Sequence, residues 1–229
     1  MKTQRIATAV PLVLLASLLR VSALVNPFTE TFATDNSNWL TGPTNALVGA
    51  TWASTGGVDG GGYIQGVATN SPGSFSGPVI FRGNASSDAS GDAFVGDWLT
   101  GGVTLFTAYV RHDASTSLDF YVRLAANNFG AGASSINITV LPNTWTQLNV
   151  PIVTNSFQSF GSSSFNTIFS SVQDVQIALT ANPADGVTYN IGLDNVSVVP
   201  EPSTVGLLGL GAALLAYRSF RRCKAGRTK

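Results

Sequence analysis

Apolar residues recur at every second position through much of this chain. Across residues 118–124, Leu118, Phe120, Val122 and Leu124 share one face, while Asp119, Tyr121 and Arg123 share the other. The pattern returns at Ile136, Ile138 and Val140, at Leu148, Val150 and Ile152, and at Val175, Ile177 and Leu179. Period two predicts half-buried strands, with one face on a core and one in water. Further strands are expected near residues 27–34, 45–53, 61–68, 78–82, 93–98, 103–112 and 187–198. Turn signals fall between them at Gly56-Gly57, Gly60-Gly61-Gly62, Pro72-Gly73, Gly101-Gly102, Pro142-Asn143 and Ala184-Asp185-Gly186. A turn or two of helix is expected near residues 166–172. About eleven short strands without helical crossovers predict an all-β fold, an antiparallel β-sandwich or barrel, with the jelly-roll type the first choice. No repeat of fixed period is visible, which argues against a solenoid or propeller.

The alternation slips once, in the last strand. Val187, Tyr189, Ile191 and Leu193 are in phase, but Val196 and Val198 belong to the opposite phase. A bulge near Asp194-Asn195 accounts for this and re-aims the Asp194 carboxylate.

Two segments leave the pattern altogether. Lys2 and Arg5 precede an apolar run at residues 6–19, and Val21-Ser22-Ala23 follows. This predicts a secretory signal peptide over residues 1–23, with an uncleaved anchor as the alternative. At the other end, residues 205–217 carry no charge, and Arg218, Arg221, Arg222, Lys224, Arg227 and Lys229 follow. Crossing a bilayer takes roughly 20 apolar residues, so this transmembrane segment is short, and the stems of Arg218 and Arg221 extend it. Basic flanks stay cytoplasmic, which places everything before Thr204 outside. A buried core helix with a solvated basic end is the alternative. Pro200 and Pro202 bracket Glu201 and hold residues 199–204 extended, a form that a processing enzyme can grip. The sandwich domain is thereby bounded at residues 24–198.

Composition changes meaning once these ends are set aside. Residues 24–199 hold three arginines (Arg82, Arg111, Arg123), no lysine and eleven carboxylates, a net charge of −8. Nucleic acid and acidic lipid need a positive footprint and are excluded as partners, whereas divalent cations fit. Cys223 is the only cysteine, so the exported part has no disulfide and no thiol chemistry. About 176 residues suffice for one domain with a sizeable core.

The order P-E-P, apolar segment, arginine cluster resembles the PEP-CTERM sorting signal. That resemblance implies a bacterial envelope, an exosortase-type membrane enzyme acting near Pro200, Glu201 and Pro202, and a transient anchor ending in Arg218, Arg221 and Arg222. It implies delivery to the cell surface or an extracellular matrix. Residues 55–64 (T-G-G-V-D-G-G-G-Y-I) and 93–105 (A-F-V-G-D-W-L-T-G-G-V-T-L) resemble the laminin B (domain IV) type of sandwich. The opening F-T-E-T-F-A-T-D-N-S-N-W and the closing I-G-L-D-N-V-S-V resemble the first and last strands of jelly-roll carbohydrate-binding modules.

Three kinds of chemistry are open. In the jelly-roll modules a structural calcium lies between first and last strands, which implies Glu30 and Asp194 as ligands here. Asp59, in a glycine-rich turn, is a third oxygen source, and calcium takes about six to eight oxygens. No other cofactor is implied. Sugar faces stack on flat rings, and Trp39, Trp52, Trp98, Trp145 and Tyr121 are available. Tyr121 and Trp145 are out of phase with the apolar face and are the expected glycan-binding residues, the alternative for every Trp being the core. Catalysis has the weakest signal. His112 stands alone at a strand end and reads as an exposed turn residue. Asp88, Asp92, Asp97, Asp113 and Asp119 could pair only if folding brings two carboxylates within about 5 to 9 Å. Asn84, Asn137 and Asn195 head N-x-S/T triplets, a chance match in a bacterium. The expected function is a non-enzymatic structural or adhesive role in the envelope or matrix, with signal peptidase, the sorting enzyme and extracellular polysaccharide as partners. A carbohydrate-binding module is the first alternative, and a glycoside hydrolase or lyase the second.

Overall fold

A computed structural model gives the fold and describes residues 27–43, 46–69, 79–126, 132–161, 163–180 and 187–200. The expected signal peptide, Glu201, Pro202, the apolar run and its arginines lie outside the described residues. No helix among the described residues is long and apolar enough to cross a membrane.

In chain order the strands are β1 (Phe28–Glu30), β2 (Leu40–Pro43), β3 (Val48–Gly49), β4 (Thr51–Ala53), β5 (Tyr63–Thr69), β6 (Val79–Asn84) and β7 (Val103–His112). There follow β8 (Leu118–Ala125), β9 (Gly132–Ser135), β10 (Ile138–Val140), β11 (Thr146–Pro151), β12 (Phe157–Phe160), β13 (Asp174–Leu179) and β14 (Thr188–Pro200). They form two sheets. The smaller runs β11-β7-β14-β5-β4, with β1 also on β14; the larger runs β12-β9-β8-β13-β6-β2-β3, with β10 also on β8. Every pairing between named strands is antiparallel. The chain crosses repeatedly between the sheets, from β5 to β6 to β7 to β8, so the fold is an all-β sandwich of jelly-roll type.

The core lies between the sheets. Phe81, Phe120, Val122 and Ile177 face it from the larger sheet, and Ile64, Phe106, Val110, Leu148 and Leu193 from the smaller one. Burying each such side chain contributes about 2 kcal/mol. Trp39 and Trp98 are fully buried, and each satisfies its N–H at once. Trp39 Nε1 donates to Ser90 Oγ at 2.9 Å, and Trp98 Nε1 to the Phe94 carbonyl at 3.0 Å.

Several expectations change. Residues 93–98 form turns and one isolated bridge, Gly96 to Val172, instead of a strand. Phe94 and Trp98 are buried there, and their apolar character imitated a strand. The stretch 45–53 splits into β3 and β4, which belong to different sheets. The expected strand 27–34 shortens to Phe28–Glu30, because Phe32 adopts φ 47°. β13 was expected to be half-buried but is buried on both faces. His112, expected in an exposed turn, is 1% exposed; its ring stacks on Phe120, and Nε2 lies 3.0 Å from the Val140 carbonyl. The helix is a single short one, α1 (Phe165–Phe169), capped by Ser164. The bulge stands where the phase slip put it: register shifts after Asp194, and Asn195 has φ 46°.

Candidate functional site

The outer face of the smaller sheet carries a cleft. Gly192 of β14 pairs with Arg111 of β7 on one side and Gln65 of β5 on the other. Trp145 enters this row just before β11, whose Thr146 pairs with Val110. The missing side chain at Gly192 lets two rings pack on the backbone there: a Cβ would stand 2.9 Å from the Trp145 ring and 3.2 Å from the Tyr63 ring. The two rings meet edge to face across it, with centroids 5.4 Å apart. Arg111 lies over both, its Cζ 5.1 Å from the Trp145 centroid and 5.6 Å from that of Tyr63, within cation–π range. Arg111 Nη2 donates to Tyr63 Oη at 3.4 Å, and Gln65 Nε2 donates to the same oxygen. At the far side Asp113 Oδ1 accepts the Asn190 backbone N–H at 2.7 Å, and Oδ2 accepts from Asn190 Nδ2. The cleft holds about 380 Å3, in the lower range of small-ligand pockets. It offers phenol, guanidinium, amide and carboxylate groups beside aromatic carbon, a set that matches vicinal hydroxyls over an apolar ring face.

Next to the cleft lies the glycine-rich loop of residues 56–62. Trp145 Nε1 donates to the Gly56 carbonyl at 3.1 Å, and Gly57 N donates to the Gly61 carbonyl at 2.9 Å. Asp194 is fully buried beneath it; Oδ2 accepts Val58 N and Oδ1 accepts Asn195 N, both at 2.7 Å. Burial raises the Asp194 pKa; these backbone N–H groups lower it, and the charges of Asp59 and Glu30 raise it. Glu30 Oε1 accepts Phe32 N, and Asp59 Oδ1 accepts Gly61 N. The three carboxylates proposed for calcium are thus electrostatic neighbours, each held by a backbone N–H. Among the described residues no three His, Cys, Asp or Glu side chains gather closely enough to hold a metal ion.

The outer face of the larger sheet is different. Gln176 of β13 pairs with Arg82 of β6 on one side and Arg123 of β8 on the other. Asp174 Oδ2 lies 3.4 Å from Arg82 Nε and accepts from Gln176 Nε2 at 2.9 Å. Arg82 and Asp174 are 2% and 1% exposed. Asp174 Oδ1 is buried with no hydrogen-bond donor among the described residues. Burial pushes the Asp174 carboxyl above the usual carboxylate range, against the pull of Arg82. Arg123 lies 4.1 Å from the Phe160 ring centroid, and its pKa is lowered by burial. Tyr121 is half-buried here, and burial raises its hydroxyl while Arg123 lowers it.

Of the two expected glycan residues, Trp145 borders the cleft by packing on Tyr63 and Arg111, which line it, and Tyr121 lies on the opposite outer face. Trp39 and Trp98 are core, and Trp52 donates to the Phe32 carbonyl at 2.7 Å. Sequence reasoning missed Tyr63, Gln65, Arg111 and Asn190. The available signal was Gly192, a residue without a side chain inside an otherwise apolar strand.

Residues 198–222 match the PEP-CTERM protein-sorting motif, which implies an exported protein sorted to the cell surface. No curated protein sequence matches the chain. Among solved structures it is similar to a family 11 carbohydrate-binding module from Clostridium thermocellum in complex with a β-1,3-1,4-mixed-linked tetrasaccharide, at 13% identity and TM-score 0.46, covering 77% of this chain and 96% of that one. It is also similar to the K1 cleaved adhesin domain of Lys-gingipain from Porphyromonas gingivalis, at 13% identity and TM-score 0.44, covering 77% and 99%. A third similarity is to modules of endo-1,4-β-D-xylanase 10B from Clostridium thermocellum complexed with xylohexaose, at 13% identity and TM-score 0.44; this chain spans 28% of that one.

Proposed function

We propose that this is an envelope or extracellular-matrix protein whose sandwich binds carbohydrate without catalysis, through the cleft lined by Tyr63 and Arg111 and bordered by Trp145. The observation that carries the reading is the pair of rings meeting over Gly192, walled by Gln65, Asn190, Asp113 and Arg111. Among the described residues that line the cleft, Asp113 is the one carboxylate, and both its oxygens already accept from Asn190. Glycoside hydrolysis uses a pair of carboxylates, so the lining supports retention of a sugar over its cleavage. A structural or adhesive role follows if the bound glycan belongs to the matrix. Affinity electrophoresis in gels containing xylan, mixed-linkage β-glucan or agarose tests this. Retardation that disappears in Trp145→Ala supports the reading; free migration of folded protein in every gel sinks it.

The sorting tail supports processing by an exosortase-type enzyme, with transient anchoring through residues 205–217, and the apolar run behind Lys2 and Arg5 supports cleavage by signal peptidase. Intact mass from the native host tests this. Mature protein that retains residues 205–229 contradicts transient anchoring.

A structural calcium is a second reading. The Asp194 Oδ2, Gly61 and Gly62 oxygens gather on one side of Gly57, and Glu30 and Asp59 add negative charge nearby. The ion would supply bracing of the first and last strands, with no chemical step. Thermal unfolding with calcium and with chelator tests it, and identical melting temperatures reject it.

A further inference from the structure

We propose that Asp194 is a positioning residue for the cleft, acting through the glycine-rich loop at residues 56–62; this rests on the reading of the cleft as a glycan site. Asp194 does not line the cleft, and Trp145 borders it through contact with Tyr63 and Arg111. The Asp194 side chain is nevertheless tied to this border in three steps. The carboxylate Oδ2 accepts Val58 N at 2.7 Å. The loop closes on itself through Gly57 N to the Gly61 carbonyl at 2.9 Å. The Gly56 carbonyl then accepts the Trp145 indole N–H at 3.1 Å. Gly56 and Gly60 have φ of +95° and +85°, a region glycine enters without steric cost. With Asp59 exposed, the loop has few side chains of its own to hold it down.

The bulge supplies the aim. The register shift after Asp194 and the left-handed Asn195 let Oδ1 accept Asn195 N at 2.7 Å, which fixes the carboxylate and turns Oδ2 to the loop. The seat is tight: a Cβ on Gly57 would stand 2.5 Å from Asp194 Oδ2 and 2.6 Å from the Gly62 carbonyl. Any shift of the carboxylate therefore moves the Gly57 backbone, the Gly56 carbonyl and the indole that hangs from it. Trp145 in turn sets where Tyr63 and Arg111 stand.

The test uses the exported domain in chelator, with Asp194→Asn and, as a second perturbation of the same buried seat from the loop side, Gly57→Ala. Both are also made in a Trp145→Phe background, which keeps a ring but removes the indole N–H. The first readout needs no glycan: the indole N–H resonance of Trp145 should shift in both variants, while those of the core residues Trp39 and Trp98 stay in place. The second readout is affinity for soluble mixed-linkage β-glucan. It should fall about three- to tenfold in each variant, the value of one hydrogen bond, and should not fall further in the Trp145→Phe background. An unmoved Trp145 resonance in both variants, or an equal fall in both backgrounds, overturns the proposal. Failure of the wild type to bind any glycan would remove the function of the cleft, while the resonance shift still decides whether the loop holds the indole.

Discussion

The two outer faces of the sandwich follow the same alternation and have opposite characters. On the smaller sheet, Gly192 lets the Trp145 and Tyr63 rings pack on the backbone beside a cleft that Tyr63, Gln65, Arg111 and Asp113 line. On the larger sheet, Arg82, Asp174 and Gln176 sit in the equivalent outward positions but are almost fully buried. The first face keeps polar groups available at its rim. The second withdraws charge from water, where an ion pair has to offset a desolvation cost of several kcal/mol per ion. An outward register position is therefore not an exposed one.

The largest expected effect breaks the buried face. Asp174→Ala leaves Arg82 without its 3.4 Å carboxylate and should cost about 3–5 kcal/mol in urea unfolding. Replacing both members by apolar residues of similar volume should cost far less. Equal losses in the two would show that packing, and not charge, dominates there. The cleft should respond the other way. Trp145→Ala should cost only about 1–2 kcal/mol of stability, because the ring is half-buried, yet it should abolish retardation in glycan gels. Gly192→Ala comes next. The added methyl would meet the Trp145 ring at 2.9 Å and should cost about 1 kcal/mol while spreading the rings and weakening glycan retention. Normal retention in this variant would mean that the ring pair is not the contact.

The smallest effect is in pH dependence. Burial raises the Asp174 carboxyl above its ordinary value near 3.8, so the folded protein holds that proton more tightly than the unfolded chain. Its contribution to stability is fully present below the ordinary value and is lost as pH rises through the raised folded value. Relative to Asp174→Asn, the wild type should therefore gain stability on acidification from about pH 7 to about pH 4. A constant difference between the two would place the folded pKa at its ordinary value.

Much of this was legible beforehand. Phe120, Val122 and Leu124, or Val175 and Ile177, announce the core face because period two admits few alternatives. The phase slip at Val196 located the bulge, since a slip in a strand has few other causes. The cleft was only half legible. Trp145 stood out of phase, but its neighbours Tyr63 and Arg111 come from strands far away in sequence, and pairing register is not written in any one strand. The burial of His112 was legible in principle, since it continues the inward phase of Phe106, Ala108 and Val110 in β7. Phe94 and Trp98 are buried from turns, where no period separates a strand from a packed loop.

β14 occupies the interior of the smaller sheet, paired to β7 on one side and to β5 and β1 on the other, and the pairing with β7 continues to Pro200. The sorting motif starts at residue 198, so its first residues belong to this strand. Tension transmitted along the tail then runs parallel to β14 and loads its hydrogen bonds together in shear, instead of peeling them one at a time from an edge. Pulling residue 200 against an attachment at residues 113–117 should give a higher rupture force than pulling on the edge strand β12. A load applied at residue 200 would then be borne by the whole β7–β14 ladder at once.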